Sequence, residues 1–312
     1  MNSVLIGIDL GGTKIEIVAL KNTQSTLGDD DNILYRTRIN TPKHADSDTQ
    51  YQLILTAIHT LVSDCETQLK LKQTPVGIGI PGALSLKTGL VKNANTVCLI
   101  GKDFKADLST TLKRPVKIEN DANCFALSEA LDGAGKNKTS VFAVIIGTGV
   151  GGGLVINQQL LIGPNHIAGE WGHNALPWPE DSDQPKQNCY CGKQGCIETY
   201  LSGPGFSRQA SLQNDISLSS QEIFQQKDSN PHAKHAYHAY VRRLAKSLAS
   251  VINIVDPDVI VLGGGLSNMH TLYTDVKHVW QEFVFSDCVN TELKQNTHGD
   301  SSGVRGAAWL NK

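Results

Sequence analysis

The sequence lacks any apolar run approaching the roughly 20 residues of a membrane span, so nothing in it points to a bilayer. It lacks a surplus of either charge. Lys and Arg total 28 against 30 Asp and Glu, a net charge of -2, so no basic field invites nucleic acid or an anionic membrane surface. The opening MNSVLIGIDLGGTK has no basic n-region and no small-residue cleavage site. It is expected to start a strand almost at once rather than direct export, which makes the cytoplasm the expected location. A disulfide framework is also not expected, because the seven cysteines are odd in number and no export signal accompanies them. A P-loop is excluded, since no G-x-x-x-x-G-K-[ST] string occurs.

What is present suits an α/β enzyme. The 312 residues are 40% hydrophobic, enough for a sizeable core and better divided into two domains than held in one. Val4 to Asp9 and Ile15 to Leu20 read as a hairpin around a glycine turn. A polar turn at Gly28 to Asn32 leads to a third strand, Ile33 to Ile39. Tyr51 to Leu69 and Ala233 to Val255 have helical spacing, and Leu108 to Leu112 and Leu272 to Phe283 are further helical stretches. Val76 to Ile80, Val116 to Ile118, Ser140 to Ile146, Leu154 to Asn157 and Val259 to Leu262 read as strands. The strand, glycine turn, strand pattern therefore occurs twice, an internal duplication with one phosphate hairpin in each half. Gly163 to Gly203 is a long irregular stretch of the kind that usually carries function.

Five motifs carry chemistry. In Asp9-Leu10-Gly11-Gly12-Thr13-Lys14, glycines let the backbone approach phosphates. Thr13 adds a hydroxyl, Lys14 a point charge, and Asp9 could hold Mg²⁺ through water. An ordinary hairpin turn would look the same. Gly147 to Gly153 contains G-x-G-x-x-G, but the dinucleotide motif must open a helix, whereas Leu154-Val155-Ile156 continues as a strand. Gly263-Gly264-Gly265 follows a strand, where a flat ligand or a simple turn would fit equally. Glu119-Asn120-Asp121-Ala122-Asn123 opens a helix, and a carboxylate there can be a cap or a general base. His173 with Cys189, Cys191 and Cys196 suits a structural, four-ligand zinc site, with a redox pair or buried thiols as the alternatives. Cys65, Cys98, Cys124 and Cys288 are expected in the core.

Together the strings IGIDLGGTKIEI, GIGIPG, ENDANCFALSEA, IIGTGVGGGLV, AGEWGHN, CYCGKQGCIE, DPDVIVLGGGLSN and HGDSSGVRGAAWL resemble the ROK family of repressors, open reading frames and sugar kinases over essentially the whole chain. KNANTVCLIGKDF, AGEWGHNALPW and the C-terminal string look most like bacterial fructokinases with mannose side activity, and less closely like N-acetylglucosamine kinases. The resemblance implies an actin/hexokinase-like (ribonuclease H-like) two-lobed α/β fold with duplicated mixed sheets. It implies a small lobe at 1–118, to which about 298–312 return, a large lobe at 119–297 with the zinc loop, and a homodimer. Asp121 matches the catalytic base. Asn95, Asn120, Glu170, His173 and Glu198 match sugar contacts. Asp9, Gly11, Gly12, Thr13 and Lys14 match the first phosphate loop, with magnesium, and Gly147, Thr148, Gly149, Gly151 and Gly152 the second. Gly264 and Gly265 fall at the adenosine side, and His173, Cys189, Cys191 and Cys196 match the zinc ligands.

The reaction so implied is ATP-dependent phosphorylation of a hexose, D-fructose first, at its primary hydroxyl. Asp121 is expected to be ionised at neutral pH, because a helix N-terminus favours the carboxylate. AGEWGHN places bulky Trp171 near the sugar, where an acetamide would need room, and leaves open which way the ring points. Three rivals stand beside this reading: a sugar-responsive repressor, which needs a helix-turn-helix ahead of Val4; an oxidoreductase resting on the second glycine turn; and a non-catalytic sugar-binding module.

Overall fold

Mostly apolar strands lie at the centre of each sheet, and strands richer in polar residues lie at the edges. The computed structural model describes residues 4–22, 32–214 and 216–312. Residues 28–31 of the expected polar turn lie outside them. β1 (Val4–Leu10) and β2 (Lys14–Lys21) form the expected antiparallel hairpin, with Leu10 opposite Ile15, and β3 (Ile33–Asn40) pairs with the far side of β2. Helix α1 (Ser47–Gln68) starts where the Asp46 side chain accepts from Thr49 N–H at 2.7 Å. Its buried face carries Tyr51, Ile54, Leu55, Ile58, Leu61, Val62 and Cys65, and each fully buried aliphatic contributes about 1.5–3 kcal/mol. β4 (Val76–Ile80) joins β1 in parallel. A ribbon of β5 (Ala83–Leu84) and β6 (Val91–Lys92) and helix α2 (Phe104–Leu112) precede β7 (Val116–Asn120), which pairs with β4. The sheet order is β3-β2-β1-β4-β7.

After α3 (Asp121–Leu131) the same plan repeats. β8 (Ser140–Ile146), β9 (Val150–Ile156) and β10 (Gln159–Leu160) form an antiparallel meander. Helices α4 (Glu198–Leu201), α5 (Gly203–Asn214), α6 (Ser220–Gln226) and α7 (Pro231–Val255) follow. β11 (Val259–Gly263) runs parallel to β8, and α8 (Leu272–Trp280) leads to β12 (Glu292–Gln295), parallel to β11. The order is β10-β9-β8-β11-β12. Strand for strand and direction for direction, it matches the first sheet.

The last helix, α9 (Ser302–Trp309), lies against the first sheet. A Cβ on Gly77 of β4 would collide with the Ala307 carbonyl, and one on Gly306 with the Cys124 carbonyl of α3. Glycine is thus required where α9 is pressed between β4 and α3. Phe125, Ala126 and Ala130 of α3 and Val304, Ala308 and Trp309 of α9 share one core with Leu5 and Val18 of the first sheet and Val141, Val155 and Val261 of the second. These two helices join the halves.

Two expectations are corrected. β9 begins at Val150, so Gly151, Gly152 and Gly153 belong to the strand and not to the turn. Cys288 is exposed, whereas Cys65, Cys98 and Cys124 are buried. The stretch 163–203 is irregular as expected, and ion pairs to α7 anchor it. Asp183 is buried with Arg243 Nε at 2.7 Å and Lys246 Nζ at 2.6 Å, both on α7. Among the described residues no helix is long and apolar enough to cross a membrane.

Candidate active site

The first hairpin turn is closed by its own backbone. Gly11 N–H donates to the Lys14 carbonyl at 2.9 Å, and Thr41 donates from its N–H to the Thr13 carbonyl (2.9 Å) and from its hydroxyl to the Gly11 carbonyl (2.7 Å). Gly12, Thr13 and Lys14 are left exposed. Gly12 faces the hydroxyl of buried Thr96, and the adjacent Asn95 is exposed. Asp9 lies half-buried near the end of β1. Burial, with repulsion from Asp121 and Glu16, raises its pKa to about 7 against the pull of Arg38 and Lys14. Glu16, opposite Asp9, is held by Arg36 (2.6 Å) and Arg38 (2.5 Å).

Asp121 opens α3 but does not cap it. The N-cap is Asn120, whose side chain accepts from Asn123 N–H at 2.7 Å. Asp121 accepts instead from Ala122 N–H at 2.8 Å. The residue is exposed to solvent. Desolvation and repulsion from Glu170 raise its pKa, with backbone hydrogen bonds from Ala122 and from Asp121 itself opposing. Desolvation thus outweighs the backbone contribution, and the net shift runs opposite to the one the helix N-terminus alone would give.

The loop before α4 and the first residue of that helix bring Glu170, Tyr190 and Glu198 together. Exposed Glu170 is close enough to act on Asp121 and on Tyr190. Glu198 accepts from Val150 N–H at 2.9 Å and so buttresses the second glycine turn. Tyr190 lies near both carboxylates; burial first, then Glu198 and Glu170, push its phenol up to about 12. Trp171, by contrast, is buried. Its indole N–H donates to the Gly151 carbonyl at 3.1 Å and its ring meets Phe142 edge-on at 5.8 Å. It is packed onto the second sheet, so its bulk is not available to oppose an acetamide.

His173, Cys189, Cys191 and Cys196 place one ligand atom each within 4.8 Å of one another. Nδ1 of His173 is 3.5 Å from Cys189 Sγ, and Cys191 Sγ is 3.6 Å from Cys196 Sγ. Zinc bonds of about 2.3 Å to sulfur and 2.0–2.1 Å to nitrogen, set tetrahedrally, call for N···S of about 3.5 Å and S···S of about 3.8 Å. The four residues fit that ion. Burial pushes the Cys196 thiol up to about 12, a preference that a cation would invert.

The second turn borders a cavity of about 430 Å³, a size that suits a small ligand. Gly147, Thr148 and Gly265 line it, together with Pro204, Ser207 and Gln221, which the sequence reading did not single out. Gly264 is absent from this lining, and its missing side chain is required by the backbone of Ile146. Gly151 and Gly152 are likewise packed, against Ala122 and Trp171. A larger cavity, about 550 Å³, lies by the end of α7 between Asn253 and Phe285, and none of the candidate residues line it.

A sequence profile of the ROK family matches residues 5–312. The chain is 38% identical over 309 residues to the N-acetyl-D-glucosamine kinases of Salmonella gallinarum and Salmonella typhimurium, covering 97% of this chain and 98% of each of theirs. Among solved structures, the ROK hexokinase from Thermus thermophilus superposes with a TM-score of 0.83 at 26% identity, covering 98% of this chain and 97% of that one. A ROK family glucokinase from Streptomyces griseus, solved with glucose and AMPPNP, gives 0.72 at 25% identity, with 98% of both chains covered. With the profile spanning nearly its whole length and the duplicated sheets matching solved members, the chain belongs to the ROK family.

Proposed function

We propose that the chain is an ATP-dependent hexose kinase that phosphorylates the sugar's primary hydroxyl, with D-fructose as its preferred substrate. The observation that carries the kinase reading is the setting of Asp121. It interacts electrostatically with Asp9 by the first glycine turn and with Glu170 on the zinc-cluster loop. Glu198 of that loop in turn holds the second glycine turn beside the 430 Å³ cavity. A line of groups thus runs from proton acceptor to nucleotide pocket.

In this reading Asp121 accepts the proton of the attacking hydroxyl. Its raised pKa makes it a better base than an ordinary carboxylate. Asn95, Asn120, Glu170, His173 and Glu198 orient the sugar, and Gly11 to Lys14 face the phosphates. Asp9, poorly ionised alone, is the residue to hold Mg²⁺, which supplies positive charge to the transferring phosphoryl group. His173, Cys189, Cys191 and Cys196 would hold zinc, whose contribution is a fixed anchor for the loop carrying Glu170 and Glu198. Most of the rate comes from positioning and electrostatics.

Fructose is favoured by the strings KNANTVCLIGKDF and AGEWGHNALPW. N-acetylglucosamine is the second reading, favoured by the 38% identical relatives and by the inward turn of Trp171. ADP release measured over fructose, mannose, glucose and N-acetylglucosamine decides between them. The expected result is the highest kcat/KM for fructose, with fructose 6-phosphate as product. A higher value for N-acetylglucosamine selects the second reading, and no turnover with any hexose removes the kinase.

A further inference from the structure

His173 is assigned two tasks on one ring. Nδ1 faces Cys189 Sγ at 3.5 Å and belongs to the metal cluster. A neutral imidazole bound to a metal through Nδ1 carries its proton on Nε2, so Nε2 can only donate. That donor is the one the ring has left to offer a sugar hydroxyl. In the structure it is already taken: Nε2 lies 2.9 Å from the Tyr190 hydroxyl, with the two rings edge-on at 5.0 Å.

Among the described residues the phenol has no other hydrogen-bond partner. Tyr190 is 77% exposed, so swinging it away uncovers almost no apolar surface. The backbone beneath it is firm. Cys189 N–H donates to the Lys193 carbonyl at 2.8 Å and Gly192 N–H to the Cys189 carbonyl at 3.0 Å. A hydrogen-bonded hairpin therefore carries one exposed side chain, whose hydroxyl meets the remaining donor of His173 close to Glu170 and Glu198.

We propose that Tyr190 is a movable stopper of the sugar pocket, its hydroxyl occupying on His173 Nε2 the place that a sugar hydroxyl takes, so that sugar binding displaces it. This rests on the hexose-kinase reading above. A sugar can use His173 only in the fraction of molecules whose stopper is open, so the apparent Kd is the intrinsic Kd divided by that fraction. A single hydrogen bond of ordinary net strength closes the stopper by about two- to tenfold. The same factor applies to every sugar that uses His173, because the competition is for one donor and not for the sugar's substituents.

The test is Tyr190→Phe in the full-length, zinc-loaded protein, which keeps the ring and removes the hydroxyl. Calorimetric titration with fructose, mannose, glucose and N-acetylglucosamine is expected to show Kd lower by about two- to tenfold, by a common factor for each sugar bound. The change should fall in sugar KM rather than kcat, with zinc content kept at the wild-type level. Unchanged or weaker binding overturns the stopper, as does a gain confined to one sugar. A second measurement is independent of the variant: in a hexose-bound crystal structure of the wild type, the Tyr190 hydroxyl should be beyond hydrogen-bond distance of His173 Nε2, and an intact bond there overturns the proposal. If the wild type binds and phosphorylates hexoses while Tyr190→Phe binds no tighter, only the stopper falls. If the wild type neither binds nor phosphorylates any hexose, the kinase reading falls and takes the stopper with it.

Discussion

β1 and β8 occupy the same place in their sheets, yet β1 carries Asp9 one residue before its end where β8 carries Ile145. Opposite them stand Glu16 in one hairpin and Gly151 in the other. The contrast continues at the outer strands: β7 leads into Asp121, and β12 into Asn296. The segments that follow each meander differ as well. Residues 41–46 link β3 to α1, whereas residues 161–197, with the Cys/His cluster, separate β10 from α4. Duplication therefore supplied a frame twice, and the ionisable groups suited to a cation and a proton were placed in the first copy. The second copy kept a neutral turn beside a cavity and gained the loop that faces the first.

The sharpest break of that division is Asp121→Asn. It leaves the Asn120 cap and the shape of the site in place and removes proton acceptance. Turnover is expected to fall by roughly 10²–10⁴-fold, with ATP and sugar affinity nearly kept. Because the pKa of Asp121 is raised, wild-type kcat should also fall on the acid side as the group protonates, a limb that steady-state pH profiles of the variant should lack. A variant with near wild-type turnover would transfer the base to Glu170 or Glu198.

Next comes the loop that only the second copy has. Asp183→Ala leaves Arg243 and Lys246 buried without their carboxylate, a loss of about 3–5 kcal/mol. Burial pulls the Asp183 pKa up, but hydrogen bonds from Lys246, Glu180 N–H and Arg243 outweigh it and hold the group below its ordinary value. A lowered folded pKa means that this stabilisation is present above the unfolded value and is lost as pH falls through the folded one. Urea unfolding should therefore separate wild type and variant at pH 7 and bring them together in acid. A constant gap would show that the carboxylate charge is not what the cations need.

The parts legible in the sequence are those with strong local signals. β1, β4, β8 and β11 are continuous apolar runs, α7 has helical spacing, and three cysteines in eight residues mark the cluster. What escaped was set by contacts distant in the chain. Gly151 to Gly153 look like a turn, but they pair with β8 as a strand, and they are glycine because α3 on one face and Trp171 on the other pack too close for side chains: a Cβ on Gly153 would sit 2.7 Å from Ala126 Cβ. β12 is a polar edge strand of four residues, and it pairs only because β11 is beside it. α5 starts with Gly203-Pro204-Gly205, a string that reads as a stop. Asp183 carries no motif, since its partners lie about sixty residues away on α7. Asn120 rather than Asp121 is the cap, a difference of one residue that local preference does not resolve.

Asp9 gives a smaller effect with an unusual sign. Its folded pKa of about 7 lies above the ordinary 3.8, so between those values the folded chain binds more protons than the unfolded one. Stability of the ligand-free protein should fall as pH rises from about 4 to 7 and then level off. Asp9→Asn removes that loss. Its melting temperature should match wild type near pH 4 and exceed it at pH 8, by about 2–4 °C for each kcal/mol relieved, while turnover with ATP and Mg²⁺ falls. A variant no more stable than wild type at pH 8 would mean that Asp9 ionises without strain and that the two copies differ less than their sequences do.

The finest comparison is between the turns themselves, through Gly12→Ala and Gly149→Ala. A Cβ on Gly12 would lie 3.7 Å from Thr96 Oγ1, an ordinary contact, and Gly12 has no left-handed φ. Its fold should be unchanged within about 0.5 kcal/mol, so any penalty should appear as a higher KM for ATP. A Cβ on Gly149 would lie 2.9 Å from Glu198 Oε2, the atom that accepts from Val150 N–H. Glu198 must then move, and the lost charged hydrogen bond costs about 1.5–3 kcal/mol. Gly149→Ala should therefore melt several degrees lower and raise the KM for sugar, because the same carboxylate is the proposed sugar contact. Thermal unfolding together with the two KM values reads both turns at once. Equal melting temperatures would mean that Glu198 yields freely and does not link the second turn to the sugar.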